Sequence, residues 1–162
     1  MPPMIDVSRR TSVTSLATAG FAAIFAGGAH ATDAPPVGAN EKKILDHVTD
    51  FCLAWNGKDV EKLIPYIADT IEYHMWEGGP VVKGLEQFRA QLGGFMAGMK
   101  EIKWEIFRSA VIGDIIINER MDHFIQAEGS KRPDNHFHIV GVFLVRDGKI
   151  QYWKDYNMPA KA

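Results

Sequence analysis

The sequence has one cysteine, no excess of basic charge and no apolar stretch of the roughly 20 residues that a membrane-spanning helix needs. A lone Cys52 excludes an internal disulfide and any metal site built from several cysteines. Because 18 Lys and Arg residues stand against 20 Asp and Glu, the net charge of -2 indicates no surface for nucleic acid. We therefore predict neither a nucleic-acid partner nor a membrane span.

The first 31 residues differ in composition from the rest of the chain. Arg9 and Arg10 form a positively charged segment, residues 16–29 are apolar, and Ala29-His30-Ala31 has the small-x-small pattern of a cleavage site. This order predicts a signal peptide over residues 1–31, with export to the periplasm by the twin-arginine route. The alternative is a disordered start. Residues 32–40 are expected to be a linker.

The remaining residues, 41–158, are expected to form one α+β domain. Asn40 can cap a first helix that ends near Asn56, and Asp59 can cap a short second helix that reaches Tyr66. Apolar spacing predicts one more helix, over 85–99, and strands over 70–76, 102–107, 115–126, 136–146 and 149–157. Asp147-Gly148 predicts a tight hairpin turn. A curved sheet covered on one face by the helices would enclose a pocket.

Charged residues interrupt two of the predicted strands. Side chains two positions apart share one face of a strand, so Arg120 and Asp122 lie together beside Phe124, and Asp155 lies with Trp153. If all three charged groups face inward, one guanidinium can bridge two carboxylates, which offsets the cost of burial. Alternatively, Ile117 and Met121 face inward and the charged groups are solvated. Periodicity leaves both arrangements open.

Two other residue types could carry chemistry. His136 and His138 share a strand face, as zinc ligands can, but no third ligand is evident nearby, and we predict surface histidines and no metal. Cys52 falls within an apolar helical pattern, which favours a buried structural thiol over a nucleophile.

Several segments resemble, in the same order, those of the limonene-1,2-epoxide hydrolase family. They are the Arg-x-Asp segment at 118–122, the final hairpin at 141–156 and the first strand at 68–73. The likeness extends from residue 41 to residue 156. It implies the cone-shaped fold of nuclear transport factor 2 and ketosteroid isomerase, with N-terminal helices packed on a strongly curved, mixed or antiparallel sheet. It also implies a homodimer.

The resemblance also implies roles for individual side chains. Asp155 would activate water, Asp122 would protonate the epoxide oxygen, Arg120 would bridge both acids, and Tyr73 would help to hold the water. Met75 stands where the family has an asparagine, and a thioether is a poor hydrogen-bond partner. The expected substrate-binding residues are Met75, Phe124 and Trp153.

The function implied is hydrolysis of a small apolar epoxide to a vicinal diol, with water as the second reactant and without metal or cofactor. An aspartate that stays protonated near neutral pH needs a pKa raised by about 3 units, or roughly 4 kcal/mol. Only a dry pocket and a second nearby carboxylate can supply that rise against the charge of Arg120. The alternatives are a proton-shuttling enzyme like ketosteroid isomerase or the polyketide cyclases, and a non-catalytic module that binds hydrophobic ligands.

Overall fold

The structure, a computed structural model, describes residues 38–159. The predicted signal peptide and residues 32–37 of the predicted linker lie outside this range. The first helix begins at Ala39, so the last two residues of that linker are helical. Gly38, and not Asn40, occupies the N-cap, where its N–H donates to Glu41 Oε2 at 3.1 Å. Within residues 38–159, no helix combines the length and apolar character needed to cross a membrane.

The described chain forms two α-helices and six β-strands, with three short 3-10 turns between the first helix and the first strand. The helices are α1 (Ala39–Ala54) and α2 (Gly84–Ala97), and the strands are β1 (Ile67–His74), β2 (Val81–Lys83), β3 (Met99–Ile112), β4 (Ile115–Gln126), β5 (Asn135–Arg146) and β6 (Lys149–Asn157).

The expected short second helix is divided into the 3-10 turns Val60–Lys62 and Ile64–Tyr66, and Asp59 caps the first of these. The three-residue strand β2 was missed because it is too short to show a periodicity.

The strands form one mixed sheet in the order β2-β1-β6-β5-β4-β3. β3 to β6 make an antiparallel meander, whereas β1 runs parallel to β6 and antiparallel to β2. The turn between β5 and β6 has positive φ at Asp147 (51°) and Gly148 (70°), as the two central residues of the predicted hairpin turn require. The α+β class is therefore confirmed, and the parallel pair places β1 beside the last strand.

The helices pack on one face of the sheet, and α1 supplies much of the core. Its buried residues Ile44, Val48 and Phe51 recur at helical spacing. The Phe51 ring meets Trp153 edge-on, with 5.3 Å between ring centroids, and is fully buried. Leu53 lies on the opposite side of the same helix with 47% of its surface exposed. α1 therefore has a clear inner and outer face.

Truncation of Phe51 should destabilise the domain far more than truncation of Leu53. Phe51→Ala removes a buried ring and leaves a cavity, which we expect to lower the free energy of unfolding by about 3 to 5 kcal/mol. Leu53→Ala, the matched control on the exposed face, should change it by less than about 0.5 kcal/mol. Urea denaturation of both variants measures the difference, and equal losses would contradict the packing of α1 described above.

Candidate active site

The alternation of β4 places its charged residues inside the domain. Asn118, Arg120 and Asp122 are buried at 1%, 0% and 3% exposure, whereas Ile117 and Met121 on the opposite face are half-buried. The inward arrangement of the charged groups is thus the one observed. An arginine without contact to water needs several charged or polar partners.

The guanidinium of Arg120 has such partners on three sides. Its Nε donates to Asp122 Oδ1 at 2.8 Å, its Nη2 to Asp155 Oδ1 at 2.9 Å, and its Nη1 to Asn118 Oδ1 at 3.0 Å. Its Cζ lies 4.2 Å from the centre of the Trp104 ring, a cation–π contact. One guanidinium therefore joins two carboxylates that belong to different strands.

Gly141 makes this bridge possible. In the register of the sheet, Gly141 of β5 lies between Asn118 of β4 and Asp155 of β6. A Cβ at this position would overlap Nη1 of Arg120 and lie 2.8 Å from Phe143 Cε2. The sequence analysis assigned neither Gly141 nor Asn118 a role in the site. Their available signals were an isolated glycine within an apolar strand and an asparagine that shares the inward face with Arg120.

Asp155 accepts hydrogen bonds from two further side chains. Tyr73 Oη donates to its Oδ2 at 3.2 Å, and Trp153 Nε1 donates to its Oδ1 at 2.8 Å. The parallel pairing of β1 with β6 sets Tyr73 opposite Trp153, and the two rings stack with centroids 3.5 Å apart. With Arg120, Asp155 thus has three donors, while Asp122 has one.

A cavity of about 450 Å³ lies above these acids. Asp122, Asp155 and Tyr73 contribute polar groups to its lining, and most of the remaining wall is apolar, including Trp55, Met75, Leu92, Phe95, Trp104 and Phe124.

Met75 and Phe124, which were expected to bind substrate, do line the cavity. Trp153 does not, and that prediction needs correction. Its fully buried ring lies between those of Tyr73 and Phe143, so Trp153 orients Asp155 from behind the cavity wall.

Burial and the bridging cation set the protonation of the acids. Burial raises the pKa of Asp122 to about 7, although the charge of Arg120 opposes the rise. Burial also raises the pKa of Asp155, against Arg120 and the hydrogen bonds from Trp153 and Tyr73. For Arg120, burial lowers the pKa, but the two carboxylates outweigh this effect and raise it, so the guanidinium stays charged. The site therefore suits one proton shared between two acids.

The other candidate groups lie apart from this chemistry. Burial raises the pKa of the Cys52 thiol to about 12, and Cys52 Sγ accepts a hydrogen bond from Asn118 Nδ2 at 3.2 Å. His136 contacts His123, and His138 contacts Glu119, on the face of the sheet opposite to the acids. Among residues 38–159, no three His, Cys, Asp or Glu side chains are grouped as metal ligands would be.

Residues 48–153 match the SnoaL-like domain family. The chain belongs to this family. The predicted superfamily, which includes nuclear transport factor 2, is thereby confirmed, and the mixed curved sheet with its helices is consistent with that fold.

Solved structures similar to this SnoaL-like domain include enzymes of more than one activity. An LEH-like epoxide hydrolase of M. tuberculosis is 24% identical, with a TM-score of 0.64 over 74% of this chain and 85% of the other. The epoxide hydrolase/cyclase-like enzyme SalBIII of salinomycin pyran ring formation is 16% identical, with a TM-score of 0.66 over 74% and 93%. A protein described as a SnoaL-like polyketide cyclase from Jannaschia is 15% identical, with a TM-score of 0.62 over 77% and 90%. These likenesses establish the fold.

Replacement of Gly141 by alanine should disturb the guanidinium bridge of this SnoaL-like domain. Because the added methyl group competes with Arg120 Nη1 for space, we expect a loss of about 1 to 3 kcal/mol in the free energy of unfolding and a displaced guanidinium. Gly94→Ala in α2, where an added Cβ meets no atom within 4 Å, is the matched control and should not destabilise the fold. Urea denaturation and a crystal structure test this. A stable Gly141→Ala variant with both ion pairs intact would contradict it.

Asp122→Asn should remove part of the pH dependence of stability. Because the folded pKa of about 7 lies above the ordinary value of 3.8, the folded protein binds this proton more tightly than the unfolded chain. Stability contributed by the proton is therefore complete below about pH 4 and is lost as the pH rises to about 7. Between about pH 5 and pH 8, the free energy of unfolding of the unsubstituted protein should fall by about 2 to 3 kcal/mol more than that of the variant. Parallel curves from urea denaturation would show that Asp122 is ionised throughout.

Proposed function

We propose that this protein hydrolyses a small apolar epoxide to a vicinal diol by one-step general acid–base catalysis. The observation that carries the proposal is the Arg120 bridge between Asp155, which has three hydrogen-bond donors, and Asp122, whose pKa burial raises to about 7. Both acids line the same largely apolar cavity. Such an arrangement supplies a base and an acid on either side of one bound molecule.

The different environments of the two acids support different roles. A carboxylate is an acceptor only, so Asp155, with its three donors, suits the ionised base. Asp122 accepts one hydrogen bond, from Arg120, and a protonated carboxyl can still donate from its other oxygen. In the proposed step, Asp155 takes a proton from water while the water oxygen bonds to one epoxide carbon. The bond from that carbon to the ring oxygen breaks, and the oxygen takes the proton of Asp122.

The step leaves Asp155 neutral and Asp122 charged, and transfer of one proton from Asp155 to Asp122 restores the site. Arg120 touches both carboxylates, so it stabilises the negative charge whichever acid carries it. Met75 lines the cavity two residues after Tyr73 and offers no strong hydrogen bond. In this proposal, Asp155 and Tyr73 therefore hold the attacking water.

A proton-shuttling isomerase or cyclase is the second candidate. Asp155 can act as a base, and a protonated Asp122 can donate a hydrogen bond to an enolate oxygen across the same cavity. The similar structure described as a polyketide cyclase supports this candidate. Such a reaction does not require a guanidinium between the two acids, whereas the hydrolase proposal does.

The two candidates differ in the variants that abolish activity. We expect the unsubstituted protein to convert apolar epoxides to diols and Asp155→Asn or Asp122→Asn to lower kcat by on the order of 10² to 10⁴. Arg120→Ala should abolish diol formation but affect an isomerase only modestly. Glu119→Gln, which changes a carboxylate on the opposite face of β4, is the matched control and should retain full activity.

The pH dependence of kcat/KM tests the role of Asp122 independently of the variants. The free protein must carry the Asp122 proton, so kcat/KM should decline as the pH rises above about 7. Diol formation at an undiminished rate by both aspartate variants would show that the assigned roles are wrong. Turnover of enones without turnover of epoxides would favour the isomerase. If the protein binds hydrophobic ligands but turns over neither epoxides nor enones, the result would favour a non-catalytic binding module.

A further inference from the structure

Asn157 is a polar residue at the outer part of an otherwise mainly apolar cavity wall. It follows Asp155 by two positions on β6, and both residues line the cavity. The register of the sheet places it beside Ile139 of β5, which in turn lies beside Arg120 of β4. Asn157 is exposed, whereas Ile139 and Asp155 are buried at 5% and 4% exposure. Its amide therefore lies at the mouth of the cavity, above the acids.

Three other asparagine side chains form hydrogen bonds within residues 38–159, whereas that of Asn157 forms none. Asn118 binds Arg120 and Cys52, and Asn56 Oδ1 accepts from the backbone N–H of Trp104 at 2.7 Å. Asn135, the other asparagine of the cavity wall, donates to the Pro133 carbonyl at 3.4 Å. Within the described range, no hydrogen bond engages the side chain of Asn157, so both its N–H donors and its carbonyl are available to a bound molecule.

The distance between Asp155 and Asn157 along β6 sets the length of a molecule that could contact both side chains. Residues two apart on one face of a strand are separated by roughly 7 Å. That span matches a small ring with one substituent, and Ile139 and Phe137 supply apolar surface beside it. In a mainly apolar pocket, a few placed polar groups fix orientation and specificity.

We propose that Asn157 binds a second oxygen of the substrate, so that the preferred epoxide carries a hydroxyl or carbonyl group at the end opposite to the reactive ring. This inference rests on the hydrolase function proposed above and narrows its substrate class. A molecule held at Asn157 presents one particular epoxide carbon to the water on Asp155. Asn157 is thus a specificity-determining residue, and it also sets the position of attack.

A matched pair of substrates tests this directly. Cyclohexene oxide with a hydroxymethyl group and the same epoxide with an ethyl group differ by an oxygen in place of a methyl group. We expect the unsubstituted protein to have a KM about fivefold to tenfold lower for the hydroxymethyl epoxide, the range of one neutral hydrogen bond. Asn157→Leu should remove that preference with little change in kcat, because the interaction forms equally in the bound substrate and in the transition state. It should also make the ratio of the two stereoisomeric trans-diols, which arise from attack at one or the other epoxide carbon, more nearly even.

Asn40→Leu, the same substitution on the exposed start of α1, is the control and should keep the preference. The assignment would be overturned if Asn157→Leu kept the lower KM for the hydroxymethyl epoxide, or if the substitution changed KM equally for both epoxides.

A binding measurement separates this inference from the hydrolase proposal itself. Cyclohexylmethanol and ethylcyclohexane have no epoxide, and tryptophan fluorescence can report their binding because Trp55, Trp76 and Trp104 line the cavity. A tighter cyclohexylmethanol complex that weakens in Asn157→Leu supports recognition by Asn157, even if no epoxide is opened. Equal binding of the two ligands by the unsubstituted protein overturns it, even if epoxides are hydrolysed.

Discussion

The buried charge of Arg120 is the constraint on which the rest of the site depends. Removing a guanidinium from water costs several kcal/mol, which close carboxylates and hydrogen bonds must offset. Asp122 and Asp155 provide the opposite charge, and Asn118 provides a further acceptor. The same contacts that make the arginine tolerable inside the fold also hold two acids at a fixed separation. Stability and the proposed chemistry therefore draw on one set of interactions.

The layer behind these residues makes the two acids unequal. Trp153, held between aromatic rings, and Tyr73, from a parallel neighbouring strand, both donate to Asp155. Asp122 receives a hydrogen bond only from Arg120, whereas burial raises the pKa of both acids and the charge of Asp155 adds to the rise for Asp122. The additional donors favour the charged form of Asp155 over that of Asp122, which supports the division into a base and an acid that the proposed reaction requires.

Local patterns in the sequence predict a good part of this architecture. The bounds of β4 and β6 agree with those expected from apolar spacing and the Asp147-Gly148 turn, and a period of two places Arg120 and Asp122 on one face. Periodicity within a strand does not predict which strands pair when they are distant in the chain. The side chains that surround Asp155 could therefore be identified only from the structure. The same limit explains why Trp153 was expected in the cavity wall. The alternation of side chains along β6 places Trp153 on the same face as Asp155, but it does not predict that the Tyr73 ring stacks on the Trp153 ring.

The position of β6 between β1 and β5 also bears on how the domain is assembled. The hydrogen bond from Tyr73 to Asp155 joins residues 82 positions apart, and such long-range contacts form late and slowly during folding. A folding intermediate in which β6 has not yet docked contains Arg120 and Asp122 but has no strand between β1 and β5. Such an intermediate would carry an arginine with half of its counter-charge and an unpaired strand edge.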